Sequence, residues 1–286
     1  MTEPDPTEPD RTEPDRTESD RTESDPAGST PVDLHFTEHG PADGPTVLLS
    51  GSLGSNLDMW DPQAEPLAAA GFRVVRLDHR GHGKSPVPPG PYRLADLAGD
   101  ATALLDRLGV RRAHWVGLSL GGMVGMWLAA HRPDRVATLA LCCTSTAPGP
   151  PEGWLDRAAT VRAEGTVAIA DAAVARWFTP GWRAANPDRT AHHRAMIAAT
   201  PAEGYASCCT AIATMRLTGV LPRITAPTLV LSGAEDPATP PDHGERIARA
   251  VPGAALEVVP GAAHLGNVEQ PGRFTAALLH HLEGNP

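Results

Sequence analysis

Ala113-His114-Trp115-Val116-Gly117-Leu118-Ser119-Leu120-Gly121-Gly122-Met123 is the stretch on which the reading of this chain turns. Gly117-Leu118-Ser119-Leu120-Gly121 fits G-x-S-x-G. An apolar β-rich run, Trp115 to Leu118, leads in, and a helical pattern, Gly121 to Ala130, leads out. A serine on so sharp a strand-to-helix turn is forced into a strained backbone, and the flanking glycines let strand and helix approach without a Cβ clash. The hydroxyl then stands above the sheet, and the amide of Leu120 points toward an anion at the same place.

A serine hydroxyl is a weak nucleophile, so this reading demands a general base and a group to orient it. Both follow in the chain. Asp236, in Ser232-Gly233-Ala234-Glu235-Asp236-Pro237, comes directly after a buried strand, with Glu235 as the alternative acid. After the last strand comes Val259-Pro260-Gly261-Ala262-Ala263-His264. The order serine, acid, histidine is the one a doubly wound hydrolase sheet uses. The second oxyanion donor should lie after the strand Thr46 to Ser50, in Gly51-Ser52-Leu53-Gly54-Ser55, from the amide of Ser52 or alternatively Leu53.

Outward from the elbow, short β-rich runs alternate with amphipathic segments, the pattern of a mostly parallel sheet with crossover helices. Val32, Leu34 and Phe36 alternate as an edge strand, and a turn at 41–45 suggests a hairpin with Thr46 to Ser50. Phe72 to Leu77, Ala113 to Leu118, Val136 to Cys142, Thr228 to Ser232 and Leu256 to Val259 read as buried strands. Leu94, Leu97, Ala101, Leu104, Leu105 and Leu108 form one helical apolar stripe. The gap between Cys142 and Thr228 is too long for one crossover. Its alanine-rich segments 152–164, 166–178, 188–199 and 202–215 predict an insertion of about four helices, holding Trp154, Trp177 and Trp182. Those tryptophans either build its core or line a pocket.

The chain has 286 residues and a formal charge of −10, of which −7 lies in residues 2–26. That segment is five near-copies of a pentapeptide, TEPDP to TESDP, with no apolar face to bury, and reads as a solvated tail. The nearly neutral remainder speaks against a nucleic-acid partner, and no run of 18 apolar residues exists to span a membrane. An acidic start without an apolar stretch is no secretory signal, so the expected location is cytoplasmic. Cys142-Cys143 and Cys208-Cys209 lack C-x-x-C spacing and read as reduced, structural thiols. Lys84 is the only lysine, and Gly83-Lys84-Ser85 lacks the earlier glycine of a phosphate loop; no G-x-G-x-x-G follows a first strand either. No cofactor is signalled. His79 and His82 have no second ligand set for a metal, and the adjacent His192-His193 reads as a solvated pair. No motif sets an oligomeric state.

Residues 31–286 resemble the α/β-hydrolase superfamily, and several segments resemble its 3-oxoadipate enol-lactonase family in particular. These are Ser52-Leu53-Gly54 with Asp58-Met59-Trp60-Asp61-Pro62-Gln63, then Arg176-Trp177-Phe178-Thr179-Pro180, Glu203-Gly204-Tyr205-Ala206-Ser207-Cys208-Cys209 and His264-Leu265-Gly266-Asn267-Val268-Glu269-Gln270-Pro271. The chain departs from the family at Met215-Arg216-Leu217-Thr218, where another acid would precede the arginine. The resemblance implies an α/β-hydrolase fold: a mostly parallel eight-stranded sheet flanked by helices, with a helical cap inserted between strands six and seven. In those terms residues 1–30 are the tail, 31–146 and 218–286 the core, and 147–217 the cap. The chain stops 22 residues after His264, too soon for the decarboxylase domain fused to some members.

The activity implied is ring opening of an enol-lactone to 3-oxoadipate in aromatic catabolism, without metal or cofactor. Ser119, Asp236 and His264 would be catalytic, with Ser52 and Leu120 as the oxyanion hole. Trp154 and Trp177 would line the substrate pocket, and Arg176 or Arg194 would hold the substrate carboxylate. A general carboxylesterase or a carbon-carbon bond hydrolase would keep the same triad, and a non-catalytic binding protein would keep only the fold.

Overall fold

The computed structural model describes Met1 and residues 29–285. The pentapeptide repeats, expected to be a solvated tail, lie outside the described residues. Ser29 already contacts the core: its amide donates to Asp96 and its hydroxyl accepts from Arg80.

In chain order the core elements are β1 (Phe36–His39), β2 (Thr46–Ser50), α1 (Asp61–Ala69), β3 (Arg73–Leu77), α2 (Leu94–Arg107), β4 (Ala113–Leu118), α3 (Leu120–His131) and β5 (Val136–Cys142). Five helices follow: α4 (Pro151–Glu164), α5 (Val167–Trp177), α6 (Pro180–Ala185), α7 (Pro187–Ala198) and α8 (Ala202–Thr214). The chain then returns through β6 (Thr228–Gly233), α9 (Pro241–Ala250), β7 (Ala255–Val259), α10 (Gly266–Glu269) and α11 (Pro271–Glu283). Among the described residues no helix is long and apolar enough to cross a membrane.

The sheet runs β1-β3-β2-β4-β5-β6-β7, with β1 antiparallel to β3 and every other pair parallel. Strands β2 and β4 are buried along their whole length, which is why they read as continuous apolar runs.

Three expectations are corrected here. The described residues form seven strands, not eight, so the inserted helices fall between the fifth and sixth. Val32 to His35 alternates like a strand, but its backbone is satisfied otherwise: the Val32 amide donates to Asp100, and that of His35 to the Ser85 hydroxyl. Nor does a hairpin open the fold, because β3 lies between β1 and β2. The fully buried β2 takes parallel partners on both sides, while half-exposed β1 suits the edge. The insertion also has five helices rather than about four: α6 (Pro180–Ala185) forms between the expected segments 166–178 and 188–199, where the Thr179 side chain caps its first turn.

The two stems of the insertion meet: the Thr146 and Thr218 hydroxyls share a hydrogen bond of 3.1 Å. Inside it, Phe178 stacks on Trp182 at 4.2 Å, and His193 packs edge-on against Phe178. His193 is therefore buried core, its Nδ1-H donating to the Arg189 carbonyl, while only His192 is exposed as expected for the pair.

Candidate active site

The strand-to-helix turn after β4 puts Ser119 at φ 56°, ψ −112°, a region non-glycine residues avoid. It can persist because its neighbours allow no alternative. A Cβ at Gly117 would sit 2.2 Å from the Gly121 carbonyl, and one at Gly121 would sit 2.1 Å from that of Ser50. The Ser119 amide is bonded to the Cys142 carbonyl, and its carbonyl accepts from the Thr144 hydroxyl at 2.7 Å. Leu120 opens α3, so its amide is one of the first-turn donors without a partner inside the helix.

Asp236 follows β6 and His264 follows β7, both at the carboxyl ends of parallel strands, as Ser119 is. The two meet at 2.8 Å between Asp236 Oδ2 and His264 Nδ1. Asp236 is 3% exposed and uses both oxygens. Oδ1 accepts from the Ala238 and Thr239 amides at 2.8 and 3.0 Å, and Oδ2 also accepts from the Thr239 hydroxyl at 2.6 Å. Burial pushes its pKa up, but the His264 charge and this set of donors outweigh it, and the net shift is downward. A carboxylate on Nδ1 leaves Nε2 as the nitrogen able to take a proton from a hydroxyl. Ser119 itself makes no hydrogen bond to His264 among the described residues; in resting hydrolases this contact is often long and closes with substrate. Glu235, the alternative acid, is exposed.

In the oxyanion loop the two candidate amides differ in their resting partners. The Ser52 amide is already committed, donating to Met59 Sδ at 3.3 Å. The amide of Leu53 has no acceptor among the described residues, and it is the alternative donor in the same loop. The Gly54 amide is fixed by His82 Nε2 at 3.0 Å, while His82 Nδ1 donates to the Arg80 carbonyl at 3.2 Å. His79 lies beside it, sharing a 3.1 Å bond with the Ser50 hydroxyl. Burial drives both imidazoles toward the neutral form, His79 to a pKa of about 3, with His82 adding to the shift. Their nitrogens are spent on the protein itself rather than converging on a common metal position.

Several groups were not singled out by sequence reasoning. Glu269 accepts from the Ala263 amide at 2.9 Å and from both the amide and hydroxyl of Thr179, tying the His264 loop to the end of α5. Gln63 and Asn267 bond to each other, and Asn267 also donates to the Met59 carbonyl at 2.8 Å, joining the oxyanion side to the histidine side. The Cys143 thiol is buried and donates to the Ala263 carbonyl at 3.7 Å; burial raises all four thiols, so none is a thiolate.

Of the insertion residues, Trp177 is 4% exposed and its carbonyl accepts from the Leu265 amide, next to His264, at 2.9 Å. Trp154 donates its indole N-H to the Pro148 carbonyl, with Arg157 stacked over its ring at 4.6 Å. Arg176 is half-buried and has no carboxylate partner among the described residues. Burial lowers its pKa and Arg157 lowers it further, against Tyr205. Tyr205, 3% exposed, packs on the oxyanion loop: a Cβ at Gly54 would lie 3.0 Å from its ring. Arg194 is not part of this group. It makes a bidentate pair with exposed Asp171 at 2.6 and 3.0 Å on the outer surface.

Residues 45–271 match the family model described as the alpha/beta hydrolase fold. The chain is 40% identical over 247 residues to "3-oxoadipate enol-lactonase 2" of Acinetobacter baylyi, spanning 86% of this chain and 92% of that protein. The crystal structure of the enol-lactonase from Burkholderia xenovorans superposes with a TM-score of 0.86 at 41% identity, covering 88% of this chain and 97% of that one. This chain belongs to the α/β hydrolase fold family, in its enol-lactonase branch. Another relative, from Variovorax paradoxus, is 34% identical over 87% of this chain and 96% of its own length and is named for carbamate hydrolysis. The alpha/beta hydrolase match runs from the turn before β2 to the start of α11, so it takes in the serine turn, the acid, the histidine and the whole insertion.

Proposed function

We propose that this enzyme opens 3-oxoadipate enol-lactone, or a lactone of the same size bearing one carboxylate, through an acyl-enzyme. Ser119 Oγ attacks the lactone carbonyl as His264 Nε2 takes its proton, with Asp236 holding Nδ1-H and so the tautomer. The developing oxyanion is received by the amides of Leu120 and Leu53, each such donor being worth about 3 to 4 kcal/mol. The ring oxygen departs as an enolate that ketonises, so the first half-reaction asks little of the imidazolium as an acid. His264 then draws a proton from water, the hydroxide attacks the acyl carbonyl, and Ser119 leaves with that proton. This reading places the enzyme in the cytoplasm, supported by four free cysteines.

The observation that carries the substrate class is the arginine pair. Arg157 hydrogen-bonds Tyr205, Arg176 acts on the same phenol and feels Arg157 but no carboxylate, and Tyr205 packs beside the loop that would hold the oxyanion. Two cations so placed are compensated by a substrate carboxylate. A neutral ester or a carbamate leaves them unpaired in a half-desolvated site, which is costly beyond the lost contact.

The test is steady-state turnover of the enol-lactone, the same lactone without its carboxylate, p-nitrophenyl acetate and a simple carbamate. The acid should lead the neutral lactone in kcat/KM by about ten- to a hundredfold. Arg176→Ala and Arg157→Ala should erase that lead while sparing the neutral lactone. Equal turnover of acid and neutral lactone sinks the proposal in favour of a general esterase, and preference for the carbamate moves it to that branch.

A further inference from the structure

A cavity of about 370 Å³ lies where the returning stem of the insertion meets the core, and no triad residue lines it. Its walls bring Arg93, Arg216 and Arg223 together with Trp127, His131 and Met215, and no aspartate or glutamate lines it. Arg223 has no hydrogen-bond or ion-pair partner among the described residues. Arg216 is exposed and donates to the carbonyls of Thr214 and Met215, neutral acceptors that leave its charge uncompensated. Arg93 is steadied by Asp96, a buried carboxylate at 3.3 Å. Three guanidinium groups thus line one cavity, and two of them, Arg216 and Arg223, have no acid partner among the described residues.

The other half of the cavity is aromatic and apolar. The rings of Trp127 and His131 stack at 4.4 Å and 19°, and the His131 ring is held by a 2.8 Å bond from Nδ1 to the Trp127 carbonyl. Met215 and Val220 complete the apolar lining. We propose that this cavity is a binding site for a small aryl carboxylate, separate from the active site. Guanidinium groups recognise a carboxylate in a planar fork, and arginine, tryptophan and methionine suit a flat aromatic body. The volume falls in the range of small-molecule sites. Because Met215 and Arg216 belong to the stem while Arg93, Trp127 and His131 belong to the core, the bound ligand bridges the two.

The experiment is calorimetric titration of the full-length protein at low salt with benzoate, its neutral isostere benzamide, and cyclohexanecarboxylate. Benzoate should bind saturably, and both analogues should bind at least about tenfold more weakly, the first for want of charge and the second for want of a ring to stack. The double variant Arg216→Gln/Arg223→Gln changes two exposed side chains and should keep the melting temperature and lactone turnover of the parent. It should lose at least about tenfold in benzoate affinity, whereas Arg176→Gln should lose none. Benzoate binding that survives the double variant and vanishes in Arg176→Gln assigns the ligand to the active site and overturns the proposal. So does the absence of saturable binding, or equal affinity for any analogue.

Discussion

His82 Nε2 accepts a hydrogen bond from the amide of Gly54 at 3.0 Å, and both residues are fully buried. A histidine outside the triad thereby fixes one peptide of the oxyanion loop. A trans peptide is planar, so anchoring the Gly54 N-H also sets the opposite direction of the Leu53 carbonyl and narrows where the Leu53 amide can point. His82→Leu should lower kcat by about ten- to a hundredfold with little change in KM, somewhat less than the loss of an oxyanion donor outright. His82→Asn, which retains an acceptor, should recover part of the loss. A change confined to KM would show that His82 does not act on the transition state.

Ser119→Ala, His264→Ala and Asp236→Asn should each lose roughly 10⁴-fold in kcat while keeping the parent circular dichroism, because the members of such a unit fail together. Glu235→Gln should be near parent, since that side chain is exposed. The reverse ranking of Glu235→Gln and Asp236→Asn would reassign the acid.

Acid should destabilise the fold through His79. Its pKa is held down to about 3 by burial, against about 6.5 in an unfolded chain, so between those values the unfolded state binds the extra proton. Stability is then fully present above pH 6.5 and falls as the pH drops toward 3, by about 1.4 kcal/mol per unit for this one group. Urea unfolding between pH 7 and pH 4 should show a shallower slope for His79→Gln than for the parent. Parallel slopes would remove His79 as the cause.

Arg80 and Asp100 form a two-pronged pair at 2.5 and 2.6 Å with side chains 2% and 1% exposed. Asp100→Asn leaves the guanidinium buried without its counter-charge and should cost about 3 to 5 kcal/mol, whereas an apolar double replacement should recover most of that. Denaturant midpoints of the single and double variants measure it.

The elbow was legible because strand, serine and helix are contiguous, and Asp236 and His264 because each follows a strand in a fixed order. The edge of the sheet was not. Val32, Leu34 and Phe36 alternate as a strand should, but alternation cannot say that Asp100 and Ser85 take the backbone donors first. Ser52 and Leu53 differ by one peptide in a glycine-rich loop, and only the reach of Met59 decides between their amides. Arg194 and Arg176 are both arginines on helices; Asp171, one turn and a loop away in space rather than in sequence, is what removes the first from the pocket.

The hydrogen bond between Thr146 and Thr218 means that the chain departs and returns at a single point, between the interior strands β5 and β6. What lies between is a closed excursion, so its length and composition can change without altering any strand register or the order in which nucleophile, acid and base are laid down. Substrate choice and bond-breaking machinery are thus inherited as separable modules, and grafting the excursion of a relative with a different substrate onto these two threonines should transfer preference while leaving the hydrolytic step intact.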